Sequence, residues 1–473
     1  MPDRRPNVVL VTAHDLGRHL RCYGIPTVRS PCLDALARGG VRFSDAFAVT
    51  SECAPSWAAL FTGRYPHSTG VMGRSAPHFA WQLGAAERHV AELLRSAGYR
   101  TALAGANDVG AAPVTRTGRF VAPGVEAAHD PAGARRCGFE EAMPAGRGQA
   151  VAEHAVRWLE RNARSSRPFY LQVGFPEACR QDSASSESGG GGPDRIGFLG
   201  AYLAADDALG VTVPPYVRDT PAARAELAEL QGAIRYLDEQ VGAVLDALRR
   251  LDLEEDTLLV FTTDHGPAVP RAKASLLDSG LGIALLVRWP ARGWDGSRVA
   301  RELVANIDVV PTVLQAAGAP VHGGVQGVSL CGLLDGQSGA PRDRLFAQMN
   351  YHDYYDPIRC VRTGTHKMIV YFSNARSYGD PCASWKPRMT AAREPEPPRE
   401  PFHPVYELYE LTADPGEWRN VVDDPAERSV RDELLATIHE HMQATGDPLL
   451  AGAVTSPLHR WAVEALAAAG GAE

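Results

Sequence analysis

Apolar positions along the chain fall into two alternating patterns. Short unbroken runs, NVVLVTA (7–13), TALAG (101–105), FYLQVGF (169–175), TLLVFTTDHG (257–266) and IALLVRWP (283–290), have the length of strands buried on both faces. Longer stretches with helical spacing lie between them. AERHVAELLRSAG (86–98) predicts an amphipathic helix ended by Gly98. The run 221–251 predicts a long helix, with Thr220 as its cap and Pro221 at its first position. Alternation of this kind predicts an α/β fold, a large mostly parallel sheet flanked by helices.

The rhythm changes after about residue 340. LFAQM, RCVRTG, HKMIVYF and VYELYEL are spaced like short antiparallel strands with turns, and a helix follows near 427–445. The expected division is a large α/β domain over 1–340 and a small antiparallel α+β C-terminal subdomain over 341–473. The glycine- and serine-rich 183–194 and the proline-rich 391–401 read as surface insertions, the first also placed to cover a site as a lid.

Composition narrows the class. Of 473 residues, 45% are hydrophobic and 22% charged, so the chain is globular. A net charge of -8 gives no general attraction to nucleic acid or to an anionic membrane, while local basic clusters can still hold a small-molecule anionic substrate. The start, MPDRRPNVVLVTAHD, lacks a signal-peptide pattern, and no apolar run is long enough to span a bilayer, so a cytoplasmic protein is expected. Eight cysteines without a CxxC pair indicate neither a zinc knuckle nor a disulfide framework. The oligomeric state stays open, a homo-oligomer included.

The chemistry belongs at the carboxyl ends of the strands, where open α/β sheets gather ligands. One early strand ends in His14-Asp15 and one late strand in Asp264-His265. If both run parallel, two carboxylates and two imidazoles meet on one rim and suit a divalent metal ion. The plainer reading of a single such pair is an aspartate closing the turn after a strand. In SECAPSWAALFTGRYP (51–66), Pro55 suits a first helical turn, which places Cys53 at or just before a helix N-terminus. Free N–H groups and the helix dipole there favour a thiolate or an anion beside it, whereas a lone cysteine is most commonly buried and structural.

The order NVVLVTAHD, CAPSWAALFTGRYPH, FTTDHG, together with PCLDALARGGVRFSDAFA (31–48), the stretch 213–242 and ELYELTADPGEWRNV (407–421), resembles the sulfatases of the alkaline phosphatase superfamily. The 213–242 stretch is most similar to the sulfamidase (heparan N-sulfatase) branch. The resemblance implies an alkaline phosphatase-like fold and a sulfuric ester hydrolase. In such enzymes the signature cysteine is oxidised to formylglycine, whose hydrate attacks the sulfur of a sulfate ester or sulfamate. A divalent ion, commonly calcium, acts as Lewis acid. By this resemblance Cys53 is the nucleophile position, His14, Asp15, Asp264 and His265 are the metal positions, and Lys273 is the cation that contacts the substrate anion.

The chain departs from the family pattern inside the site. Trp57 stands where the signature has arginine, and a neutral indole cannot supply a charged bidentate fork, which counts against conversion of Cys53. In GAND (105–108) Ala106 and Asp108 replace the lysine and histidine of Gly-Lys-x-His, so Asp108 becomes a candidate catalytic group, and Cys179 takes another histidine's place. His14 and His265 replace oxygen ligands, which moves the expected metal from calcium toward manganese, zinc or iron. Three readings follow. The first is a sulfatase-like metal-dependent hydrolase of a sulfate ester, sulfamate or related monoester, with an atypical site. The second is a phosphodiester or phosphonate hydrolase, or a group transferase, using unmodified Cys53 or metal-bound water; Asp264-His265 points to it. The third is a non-catalytic sulfatase-fold binding protein. Arg64 reads as a buttress of the Cys53 loop, His67 and His78 as solvated loop histidines, His352 and Asp353 as a wall from the C-terminal part, and Tyr351, Tyr354 and Tyr355 as core.

Overall fold

The structure is a computed structural model and describes residues 5–75, 81–107, 109, 131–182, 196–198, 203–337, 339–352, 354–375 and 402–470. Asp108, His78, Asp353 and the 183–194 and 391–401 loops lie outside the described residues.

The strand Asn7–Ala13 is buried almost throughout and lies inside an eight-stranded sheet. It pairs in parallel with Phe169–Phe175 on one side and Thr257–Thr263 on the other. The alternation of its side chains separates two cores. Val8 and Leu10 join the core containing the Cys53–Thr62 and Val309–Ala316 helices. Val9, Val11 and Ala13 join the core of the Gly148–Asn162 and Pro221–Arg250 helices. Each fully buried valine or leucine contributes about 2 kcal/mol of transfer free energy, which is why the apolar runs were so plain in the sequence.

Arg100–Gly105 continues the parallel run beside Phe169–Phe175, and Glu141–Met143 closes that edge. Gly105 and Gly174 pair across two strands. A Cβ on Gly174 would lie 2.2 Å from the Ala106 carbonyl oxygen, so only glycine permits this approach. On the other edge the sheet changes direction. Leu285–Arg288 runs antiparallel to Thr257–Thr263 and is followed by Val41–Phe43 and Arg298–Ala300. The sheet is therefore mostly parallel, as expected, with a mixed edge.

Two elements differ from the expected ones. The helix foreseen over 86–98 spans only Val90–Ser96, because the His89 side chain accepts the Ala91 N–H and caps it there. A further helix, Pro457–Gly470, follows the expected one at Arg428–Thr445. The C-terminal sheet is an antiparallel meander of Arg344–Tyr351, Tyr355–Thr363, His366–Tyr371 and Tyr406–Glu410. One face packs on Leu434, Ile438 and Met442 of the 428–445 helix. The other packs on Leu276, Leu277 and Leu281, beside the loop that carries Lys273. No helix among the described residues is long and apolar enough to cross a membrane.

Candidate active site

Register alone brings the two strand-end pairs together. Ala13 lies opposite Thr263 in the parallel ladder, so both chains leave the sheet at the same level, His14-Asp15 beside Asp264-His265. Asp15 takes a left-handed backbone conformation (φ 51°), which a residue with a Cβ adopts only where its surroundings impose it. Its N–H donates to Asp264 Oδ1 at 2.9 Å, and the His265 N–H donates to the same oxygen at 2.9 Å. Asp264 is thereby fixed at the rim where the two pairs meet, the metal pole of the site; its Oδ2 lies 3.4 Å from His265 Nε2 and 3.5 Å from His14 Nδ1 and has no hydrogen-bond partner among the described residues.

Cys53 is the first residue of the Cys53–Thr62 helix, which ends at Gly63 in the left-handed region (φ 69°). The helix is anchored to the metal pole from within. Ser56 Oγ donates to the Asp264 carbonyl at 2.7 Å, and Asn306 Nδ2 donates to Ser56 Oγ at 3.1 Å. This delivers the Cys53 sulfur to 3.3 Å from His265 Nε2, 3.5 Å from Asp15 Oδ1 and 3.3 Å from the Lys273 ammonium. Lys273 also donates to both Asp15 oxygens, at 2.9 and 2.8 Å.

The protonation pattern follows from these contacts. His265 Nδ1 lies 2.8 Å from the Gly266 carbonyl, so the proton belongs on Nδ1 and the Nε2 lone pair faces Cys53, Asp15 and Asp264. Burial pushes the His265 imidazole toward neutrality, against the pull of Asp264 and Asp15. Burial pushes the Asp15 carboxyl up, but Lys273, His265 and His14 together hold it well below the usual range. Burial raises Asp264 to about 7, with His265 and His14 opposing and Cys53 and Asp15 reinforcing the rise. Burial acts to lower Lys273, yet Asp15 and Cys53 keep it firmly cationic.

Asp15, Cys53, Asp264 and His265 each offer one ligand atom within 4.8 Å of the others. One orphaned carboxylate oxygen, one oriented imidazole lone pair, one thiol and a second carboxylate fit a divalent ion. The set is poor in oxygen for calcium, which takes six to eight oxygen ligands. His14 stands next to this group and not within it. Its Nδ1 is 3.5 Å from Asp264 Oδ2, and its ring meets Trp57 edge-on at 4.9 Å. Trp57, one helical turn after Cys53, is buried between His14 and Phe61, and its indole N–H has no partner.

Cys179 reaches the site as well. The His14 N–H donates to the Glu177 carbonyl and the Ala178 N–H to the His14 carbonyl, which draws 177–179 alongside the pole. The Cys179 thiol donates to the Arg180 carbonyl at 3.6 Å and is raised by burial and then by the charge of Asp15. Arg64 bonds the Gly324 carbonyl and Glu87, beside the helix end and away from the pole. His67 is a correction to the solvated reading: it is buried against Gln348, 2.5 Å from its amide oxygen, with Asp447 at 4.0 Å. His352 is also buried, and the Tyr351 ring meets Trp81 and Tyr355 at tilted angles. Asn306 was missed by sequence reasoning. Its only signal was an amide opening an apolar helical run, which is common to many structural caps.

Comparison with known proteins agrees with this geometry. Residues 6–319 match the sulfatase family model, and residues 272–379 match that of the N-sulphoglucosamine sulphohydrolase C-terminal region. The chain is 31% identical to human arylsulfatase A over 453 residues, covering 89% of this chain and 84% of that protein. It is 29% identical to human N-sulphoglucosamine sulphohydrolase over 474 residues, covering 94% and 91%. Among solved structures it superposes on BT4656 in complex with its substrate D-glucosamine-2-N,6-O-disulfate, with a TM-score of 0.66 at 16% identity, covering 94% of this chain and 99% of that one. With the sulfatase model spanning well over half its length, and with a cysteine, a lysine and two strand-end aspartates converging at one rim, the chain belongs to the sulfatase family.

Proposed function

We propose that this chain is a metal-dependent hydrolase that cleaves a sulfate ester, sulfamate or related monoester of a small anionic molecule. The observation that carries the reading is the meeting of Cys53 with Asp15, His265 and Lys273 within 3.5 Å, at the end of the helix that bears the family's nucleophile. Asp15, Asp264, His265 and the Cys53 sulfur would hold a divalent ion, which supplies Lewis-acid polarisation of the substrate's oxygens when bound. The donor set favours manganese, zinc or iron over calcium.

The remaining roles belong to the chain's own groups. The Lys273 ammonium, with nearly all of its surface excluded from water, offers a charged donor to a substrate oxygen while Asp15 balances it. His265, kept in one tautomer by Gly266, presents a fixed lone pair instead of a proton. Asp264 is oriented by two backbone N–H groups and so keeps its free oxygen aimed at the reacting centre. Cys53 supplies the attacking position, and its backbone sits in the first turn of a helix, where developing negative charge is stabilised.

A second reading, a phosphodiester or phosphonate hydrolase or a group transferase with unmodified Cys53, draws on one observation. Trp57 stands at the position of the signature arginine as a packed, uncharged ring. A panel of aryl sulfate, sulfamate, phosphodiester and phosphonate substrates, run with manganese, zinc and calcium, separates the readings. Turnover of sulfate or sulfamate supports the first, turnover confined to the phosphorus substrates supports the second, and none on any of them counts against both.

A further inference from the structure

The chain has three lysines among 48 basic residues, at 273, 367 and 386. Lys273 and Lys367 are both buried, and they stand at the two ends of one connected network. Where a compact ammonium must sit in a tight carboxylate cage, lysine is used, and arginine serves nearly everywhere else.

Lys273 enters the pole from a loop between the Thr257–Thr263 strand and the Asp278–Leu281 helix. Two residues of this loop, Arg271 (φ 63°) and Ala274 (φ 62°), flank Lys273 in the left-handed region. Neither is glycine, so the surroundings must impose the conformation. Backbone contacts hold the loop on the pole side. The Lys273 N–H donates to the Pro267 carbonyl at 3.1 Å and the Ala274 N–H to the Ser51 carbonyl at 3.2 Å.

Ser275 Oγ (3.1 Å) and Ser279 Oγ (2.5 Å) donate to the Arg271 carbonyl from within the same segment, and a further set of contacts comes from the C-terminal part of the chain. The Arg271 guanidinium donates to the carbonyls of Gly416 (3.2 Å) and Glu417 (2.7 Å) and lies 3.9 Å over the Trp418 ring. Lys367 Nζ sits between Asp278 at 2.5 Å and Glu417 at 2.7 Å. Glu417 Oε2 accepts the Asp278 N–H at 2.6 Å, and Arg362 adds contacts to the Asp278 carboxylate. Glu417 is itself left-handed (φ 55°), so strained positions on both segments interlock.

We propose that the turn at Gly416, Glu417 and Trp418 is a positioning device for Lys273. Arg271 and Trp418 are positioning residues: they hold the strained loop so that the ammonium stays on Asp15 and Cys53. The strength of anion binding at the active site is thus set from the C-terminal sheet, through a contact that touches neither substrate nor metal. The anion-binding consequence rests on the reading of Lys273 as the substrate-facing cation; the positioning itself does not.

The test is amine acetylation of the full-length protein by an N-hydroxysuccinimide ester, read lysine by lysine by peptide mass spectrometry, in wild type, Arg271→Ala and Trp418→Ala. Three lysines make the readout clean, and the same protein in urea gives the unprotected rates. Trp418 is 56% exposed, so its replacement leaves a folded chain even if Arg271→Ala does not. The expected result is on the order of a tenfold faster acetylation of Lys273 in folded variants with Lys367 still protected. Wild-type protection of Lys273 in the folded variants overturns the proposal, and so does joint loss of protection at both lysines, which reports general loosening. A second arm measures inorganic sulfate affinity by calorimetry on metal-loaded protein. Trp418→Ala is expected to weaken it by several-fold, and not to weaken it further in a Lys273→Ala background. Equal weakening in both backgrounds overturns the proposal. Absence of sulfate binding in wild type counts against the functional reading and leaves the labelling result to decide positioning.

Discussion

The Nε2 atom of His265 and the sulfur of Cys53 lie 3.3 Å apart, with the imidazole proton held on the far nitrogen by the Gly266 carbonyl. Two soft donors therefore face one point, and each has a carboxylate beside it. This contact changes the expected metal. Manganese, zinc or iron should bind in preference to calcium, and Cys53→Ser should weaken zinc binding by about 10- to 100-fold while leaving calcium nearly unaffected. Metal titration of the apo protein by calorimetry checks this, and equal losses for zinc and calcium would count against a sulfur ligand.

Asp264 is the hinge of the pole, since one oxygen receives two backbone N–H groups and the other has no hydrogen-bond donor among the described residues. Asp264→Ala should lower metal affinity by at least about 100-fold and abolish hydrolysis of whichever substrate the panel identifies. Metal content by elemental analysis and turnover on that substrate are the measurements. Undiminished turnover in the variant would remove the metal-site argument.

Much of this site was legible before any coordinates. An apolar run followed directly by Asp-His or His-Asp marks a strand end, and parallel pairing of Asn7–Ala13 with Thr257–Thr263 then requires the two pairs to be neighbours. The start of the helix at Cys53 was legible from Pro55. The cross-chain anchors were not. Asn306 meets Ser56 across 250 positions, and Arg271 meets Gly416 across 145. Single contacts of this kind leave no periodicity, so nothing in the local sequence distinguishes them from solvated polar residues. The reversal at Leu285–Arg288 was hidden for a related reason: a strand buried on both faces has the same composition whichever way it runs.

Trp57 bears on the chemical state of Cys53. Its ring stacks on Phe61 at 5.6 Å and meets His14, so it is part of the packing and brings no charge of its own. Mass spectrometry of the peptide containing Cys53 should show an intact thiol in protein purified from its native host. Formylglycine in that peptide would restore the standard sulfatase mechanism. Trp57→Arg should cost about 3 kcal/mol of stability in urea unfolding, because it exchanges a buried ring for a buried charge.

The network behind Lys273 predicts how stability depends on acidity. Burial pushes the Asp278 carboxyl up, but Lys367 and Arg362 more than offset this and hold it well below its ordinary value of 3.8. A carboxyl depressed in the folded state binds its proton more readily when unfolded. Its contribution is therefore fully present above about pH 4 and is lost as the pH falls through the folded value. Asp278→Asn should cost about 3 kcal/mol at pH 6, because it leaves Lys367 buried beside Glu417, whose carboxyl is raised to about 7 by burial against the pull of Lys367. The gap between wild type and variant should narrow steadily as the pH falls below about 4 toward the folded value, where wild type gives up the same interaction by protonation. Urea unfolding at a series of pH values measures both curves. A gap that stays constant down to the lowest pH would mean that the Asp278 charge contributes nothing and that the loss is one of packing alone.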